Sequence, residues 1–262
     1  MENKKVLVSI KKLSEIEAYK KIGITNFLFS LDSFSNLSDS SFKIDELKEL
    51  DINIFLNIDL IMDTNTIDKF KEIMPHLAFA KGILFEDVGV YYLLKDMDIP
   101  LMWNQSHFVT NSMSINLWLK RVHSAVLTNE LTFSEIETIL RNTTKPLILP
   151  IYGNNPAMYS RRYLLSSFTE YNKLPKITKG TLSVNEANEF FVEENSYGTV
   201  LYYKKPFNYL PHIANIDDSK ILFYYVNTRN ITPEEFKDLI NGRKVLSEEK
   251  FLENKTIYKL ED

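Results

Sequence analysis

The chain of 262 residues contains no cysteine. That excludes disulfides, thiolate zinc sites, cysteine nucleophiles and iron–sulfur clusters held by the chain's own thiolates. Glycine is scarce as well, with 7 residues, and neither GxGxxG nor GxxxxGK[ST] occurs. Loops that lay bare backbone against a phosphate are therefore not expected. No apolar run reaches the roughly 20 residues that a membrane helix needs. Met1–Lys5 leads into five mainly apolar residues, too short for a secretory signal core. The expectation is a soluble cytoplasmic protein with no membrane partner. Charge of one sign is not in excess either: the net value is −4 and the isoelectric point lies near 5.7. A general cationic nucleic-acid binder is excluded, a local basic patch is not. The four histidines form no HExxH, and there is no GxSxG, so neither a zinc-hydrolase box nor a serine-hydrolase elbow is present. No metal site and no cofactor are expected.

What the chain does contain is 44% hydrophobic and 13% aromatic residues, enough for a large core. Short apolar runs alternate with segments of helical period. Val6–Ile10 precedes a helix over Ser14–Ile22, where Ser14 and Glu17 have capping-box spacing. Phe27–Leu31, Ile52–Ile58, Ile83–Phe85, Pro100–Trp103, Ala125–Leu127 and Leu147–Ile151 read as further strands, with helices between them. After Tyr152 the rhythm changes, and Asn195-Ser196-Tyr197-Gly198 between two aromatic runs reads as a hairpin turn. Ile221–Val226 restores a buried strand, and Thr232-Pro233-Glu234-Glu235 starts a last helix. The pattern predicts an α/β fold, a single domain over 1–262. Its architecture is (β/α)₈, TIM-barrel-like, with a β-hairpin inserted near the C-terminus at about 181–204; a doubly wound open sheet is the alternative.

In such a barrel the chemistry sits just after each strand. The polar residues there are Asn57 and Asp59, Glu86 and Asp87, Asn104 to His107, Asn129 and Glu130, Tyr152 and Gly153, and Asn227 with Arg229. Glu86, Asp87, His107 and Glu130 are the candidate catalytic residues, since acids beside an imidazole serve general acid–base work. The structural alternative is that Asp87, Glu130 and Asn227 cap helices or close loops. A basic and aromatic stretch, including Tyr159, Arg161, Arg162, Tyr163, Tyr171 and Lys173, suits splayed nucleotides or a small anion. Arg161, Arg162 and Lys173, with Asn129, are the candidate substrate-binding residues. An ordinary solvated helix is the alternative there.

Four segments carry a resemblance. Val126–Ile136, with Asn129-Glu130-Leu131, is similar to the arginine-glutamate-leucine turn of the peptidase U32 (collagenase-like) family. Tyr159–Ser166, with Ser160-Arg161-Arg162, Thr110–Trp118 and the acidic hairpin Phe191–Val200 also resemble that family. The resemblance implies a barrel-like fold and two competing activities. One is peptidase. The other is hydroxylation of RNA or quinone, in which an iron–sulfur cluster is held by cysteines and the tRNA members act on uridine with prephenate as oxygen donor. This chain departs from the family where cysteines are usual, around Tyr152–Tyr163, and where the family's His-Gly and Arg-Glu read Tyr152-Gly153 and Asn129-Glu130. The resemblance therefore implies a divergent, cysteine-free member. It would act as a cluster-free partner or scaffold in hydroxylation of tRNA wobble uridine, beside a cysteine-bearing U32 paralogue and with tRNA or a small anionic metabolite bound. A peptidase and a small-molecule-binding barrel are the alternatives, and whether the chain is an enzyme stays open.

Overall fold

The structure is a computed structural model that describes residues 3–37, 40–105, 109–185, 188–243 and 247. Alternating elements build it: β1 (Val6–Ser9), α1 (Ile16–Lys21), β2 (Asn26–Ser30), α2 (Ile44–Leu47), β3 (Asn53–Ile58), α3 (Thr64–Ile73), β4 (Gly82–Phe85), α4 (Val88–Leu94), β5 (Leu101–Trp103), α5 (Ser112–Leu119), β6 (Ser124–Ala125), α6 (Phe133–Asn142) and β7 (Leu147–Gly153). A second region follows, with β8 (Pro156–Ser160), α7 (Leu164–Tyr171), β9 (Lys179–Asn185), β10 (Asn188–Asn195) and β11 (Gly198–Tyr203). The chain then returns through β12 (Phe207–Asn208) to β13 (Ile221–Val226) and α8 (Pro233–Ile240).

The first sheet has nine strands in the order β12-β7-β13-β1-β2-β3-β4-β5-β6. All pairings in it are parallel except that of β12 with β7. The sheet curls, and an isolated bridge brings its β6 end against β7: Val126, just past β6, bridges Ile148, and Leu127 N donates to Ile148 O at 2.9 Å. The fold is thus α/β and barrel-like.

Period-two alternation divides the strand residues between two cores. Leu7, Leu28, Phe55, Leu84, Met102, Val126 and Ile148 point inward and pack with Phe223 and Tyr225 of β13. Phe55 and Phe223 meet edge to face there, with ring centroids 5.0 Å apart. Their neighbours along each strand point outward against the helices, as in Phe27, Phe29, Leu56, Phe85 and Trp103 against Phe70, Leu94, Ile115 and Leu119. The two tryptophans, Trp103 of β5 and Trp118 of α5, stack at 5.0 Å in this outer layer.

Where the sequence predicts a two-stranded hairpin at about 181–204, the structure has a four-stranded antiparallel sheet in the order β8-β11-β10-β9. The pair β10–β11 turns at Asn195–Gly198, as the sequence expects. The capping box predicted at Ser14 and Glu17 does not form: Leu13–Glu15 is a 3₁₀ turn, and α1 starts after Glu15 with no side-chain cap. Arg161 and Arg162 precede α7, and Lys173 follows its end with φ 55°.

Candidate functional site

Two residues beyond the apolar inner layer, the same inward-facing rows turn polar. Leu7 leads to Ser9, Leu28 to Ser30, Phe55 to Asn57, Leu84 to Glu86, Met102 to Asn104, Val126 to Thr128 and Tyr225 to Asn227. These residues line two adjoining recesses at the C-terminal ends of the strands. The larger has a volume of about 90 Å³, with Asp59, Asn129, Glu130 and Asn154 also in its wall.

Asp59 is buried at the floor of a loop. Its Oδ1 accepts from Asn36 N at 2.5 Å and Leu37 N at 3.1 Å, and its Oδ2 from Asn57 Nδ2 at 2.6 Å. Burial pushes its carboxyl up, and these donors only partly offset that. Asn195 Nδ2, at the hairpin tip, donates to Asn36 Oδ1 at 2.7 Å, so the antiparallel sheet holds the loop over Asp59.

Glu86 is different. It opens onto the cavity, while protein crowds its carboxyl on the other sides. Burial, and then the charge of Asp59, hold it well above the usual carboxylate range. Its backbone N donates to Ile58 O at 3.2 Å and its backbone oxygen accepts from Gln105 Nε2 at 3.0 Å, while among the described residues its carboxyl has no hydrogen-bond partner. Tyr225 stands beside these acids: burial and then Asp59 raise its phenol, and a hydrogen bond with Ser9 pulls the other way. A protonated Glu86 facing an accessible recess can donate a hydrogen bond or a proton.

Three asparagines in the same wall have an unpaired polar atom: Asn57 Oδ1, Asn129 Nδ2 and Asn154 Oδ1. Their residues are 8%, 7% and 1% exposed, too buried for water to satisfy them freely. The other half of Asn154 is committed, since Nδ2 donates to Tyr203 O at 2.9 Å and Lys204 O at 3.0 Å. Gly153 sets up its position. With φ 147°, a Cβ there would lie 2.5 Å from that of Asn227, so only glycine lets β7 pass β13 this closely.

Glu86, Asn129 and Glu130 thus come together at the cavity. Asp87 stands apart from it: Oδ1 accepts from Gly89 N at 2.6 Å as the cap of α4, and Oδ2 from Met62 N at 2.8 Å. His107 lies outside the described residues. Arg161, Arg162 and Lys173 are exposed and away from the cavity wall. Arg161 pairs with Asp63 at 3.1 Å on the surface. Arg229 forms an ion pair with Glu193 and lies over the Tyr202 ring, 3.6 Å from its centroid. Among the described residues no group of three or more His, Asp or Glu could hold a metal ion. The sequence list of strand ends omits Asn154, Tyr225 and Thr128. Alternation from Phe223 to Asn227 is the signal that reaches Tyr225, and adjacency to Tyr152-Gly153 the one that reaches Asn154.

The model of peptidase family U32 matches residues 22–177. The match takes in most of the cavity wall and Arg161, Arg162 and Lys173, but ends before the hairpin Phe191–Val200 whose likeness to the family the sequence suggests. A solved structure, that of the U32 peptidase Mk0906, is similar with a TM-score of 0.54 over 87% of this chain and 94% of its own, at 8% sequence identity. At that identity the likeness concerns the fold. No match was found among curated proteins.

Proposed function

The chain belongs to peptidase family U32, and from that premise we propose that it is a (β/α)₈ barrel of TIM type whose mouth binds a small polar molecule, with Glu86 as the proton-carrying group. One observation carries this reading: among the described residues three buried asparagines, each with an unpaired atom, surround a recess onto which a carboxyl without a hydrogen-bond partner opens. Each unpaired buried group costs about 1–3 kcal/mol, and three in one wall are best explained as groups that a ligand satisfies. Asn57, Asn129 and Asn154 would fix its orientation, and Glu86 would donate to it or exchange a proton with it.

Peptide hydrolysis, which the family's name carries, fits this wall less well. An acid pair that hydrolyses peptides keeps one carboxylate free to activate water, whereas both oxygens of Asp59 are taken by donors. Denatured collagen and casein should therefore show no turnover above a matched control. Activity that survives repurification and is abolished by Glu86→Gln or Glu130→Gln would overturn this part of the proposal.

The binding reading is tested by thermal shift with a panel of amines, amides, nucleosides and carboxylic acids. A ligand at about 100 times its Kd adds about 2.7 kcal/mol. At least one class should raise the melting temperature of the wild type and leave Asn104→Leu, which fills the recess, unmoved. A panel without any shift would remove the site.

A second reading is favoured by a separate observation. Arg162, Tyr163, Phe168, Tyr171, Lys173 and Lys176 are all exposed around α7, a basic and aromatic strip suited to nucleic acid. It supports the role of a cluster-free scaffold in hydroxylation of tRNA wobble uridine, beside a cysteine-bearing relative.

A further inference from the structure

The cavity wall has charge of one sign. Asp59, Glu86 and Glu130 line it, and among the described residues no lysine, arginine or histidine does. Arg229 reaches the adjoining recess, but its guanidinium is bonded to Glu193 and lies over Tyr202. An anion entering here would meet like charges with no counter-charge, which a low-dielectric recess penalises heavily. The small anionic metabolite expected from the sequence does not suit this wall. The unpaired atoms add a pattern to the charge: two are acceptors, Asn57 Oδ1 and Asn154 Oδ1, and one is a donor, Asn129 Nδ2.

We propose that the mouth takes the amino end of a small organic molecule, an ammonium group followed by a neutral acceptor oxygen, as in an amino-acid amide or the first residue of a peptide. An ammonium has three N–H donors and no acceptor. The two asparagine oxygens and the Glu86 carboxylate supply three acceptors, and Asn129 Nδ2 supplies the donor for the neighbouring oxygen. The inference rests on the reading of the mouth as a ligand site.

Binding is then coupled to a proton. Without a ligand Glu86 shares the recess with Asp59 just after β3, Glu130 from the loop after β6 and Tyr225 of β13, none of them a cation, and burial with the charge of Asp59 favours its protonated form. An arriving ammonium replaces that proton as the positive partner, and the proton leaves to solvent. Affinity therefore rises as pH passes through the raised pKa of Glu86 and falls once the amine itself deprotonates, near pH 8 for an α-amino group.

Calorimetry with four probes tests this: alaninamide, N-acetylalaninamide, N-acetylalanine and uridine. Alaninamide should bind at least tenfold more tightly than its acetylated form and should release a proton, seen as a heat that varies with buffer. N-acetylalanine should give no measurable heat. Glu86→Gln should weaken alaninamide at least tenfold and abolish the buffer dependence. Equal or tighter binding of N-acetylalanine or uridine would overturn the amine assignment while leaving a ligand site in place. Silence from all four probes, together with a thermal-shift panel without response, would remove the site as well. The wild-type series decides the question even where the variant does not fold.

Discussion

Glu86 and Asp87 are neighbours in sequence with opposite physical situations. Asp87 gives both oxygens to backbone N–H groups, those of Gly89 and Met62. Glu86 has burial and the charge of Asp59 against it. Its folded pKa is raised, so the folded state holds the proton more tightly than the unfolded one. Stability is then full below the ordinary glutamate pKa of about 4.3 and falls as pH rises through the folded value. Glu86→Gln, which cannot ionise, should melt higher than the wild type at pH 8, with the difference closing near pH 4. At this chain length each kcal/mol corresponds to about 2–4 °C. A melting-temperature difference that is flat with pH would show that Glu86 carries no such burden. Asp87→Ala should instead destabilise by about 2 kcal/mol at neutral pH, through a lost cap and an orphaned Met62 N–H, while ligand response stays intact. The sequence places both acids at a strand end but does not tell them apart. The distinction depends on Met62 and Asp59, which arrive from other elements.

The antiparallel sheet is the element whose extent was least legible in the sequence. Its central turn follows from Asn195-Ser196-Tyr197-Gly198, but β8 is an edge strand whose partner, β11, lies far along the chain, and β9 is the opposite edge, paired with β10. β8 begins with Pro156, which an edge strand tolerates and a strand pattern does not advertise. Caps show the same limit on a smaller scale. Thr132 with Glu135 and Thr232 with Glu235 form complete boxes because their cap residues are extended, whereas Ser14 lies inside a 3₁₀ turn. Glu194 fastens α7 to the sheet, accepting from Leu165 N at 2.8 Å, Ser166 N at 3.1 Å and the Ser166 hydroxyl. Burial raises its carboxyl, but these donors outweigh it and the pKa is lowered. Its contribution is therefore present above about pH 4.3 and is lost as pH falls through the folded pKa, the reverse of Glu86. Gly198 is the most sensitive joint. Its φ is 130°, and a Cβ would stand 2.1 Å from Ser160 O. Gly198→Ala should separate β8 from β11 and cost about 1–3 kcal/mol, with new proteolytic cleavage within 156–203. An unchanged digestion pattern and melting temperature would contradict that role.

For the molecule as a whole, the barrel-like order was legible because seven apolar runs with helical periods between them leave few topologies. The polar ring above the inner layer follows from the same alternation. What the sequence could not supply was which charges share a space. It groups Arg161, Arg162 and Lys173 with the strand-end acids as one site, but the fold places the cations on an outer face and the acids in the mouth. This separation defines a last test. Arg161 makes one exposed pair, with Asp63, worth about 0–1 kcal/mol. Arg162 is exposed, and Lys173 keeps φ 55° whether its side chain is long or short. The triple change to Ala should therefore lower the melting temperature by no more than about 4 °C, while taking the net charge from −4 to −7. If tRNA binds this face, each lost cation releases about 0.7–0.9 fewer counterions, so the slope of log affinity against log salt should flatten by about 2–3. The same variant should bind alaninamide as the wild type does, because none of the three residues lines the cavity. An unchanged salt slope would remove the strip from any RNA interface. A parallel loss of alaninamide binding would show that the two faces are not independent.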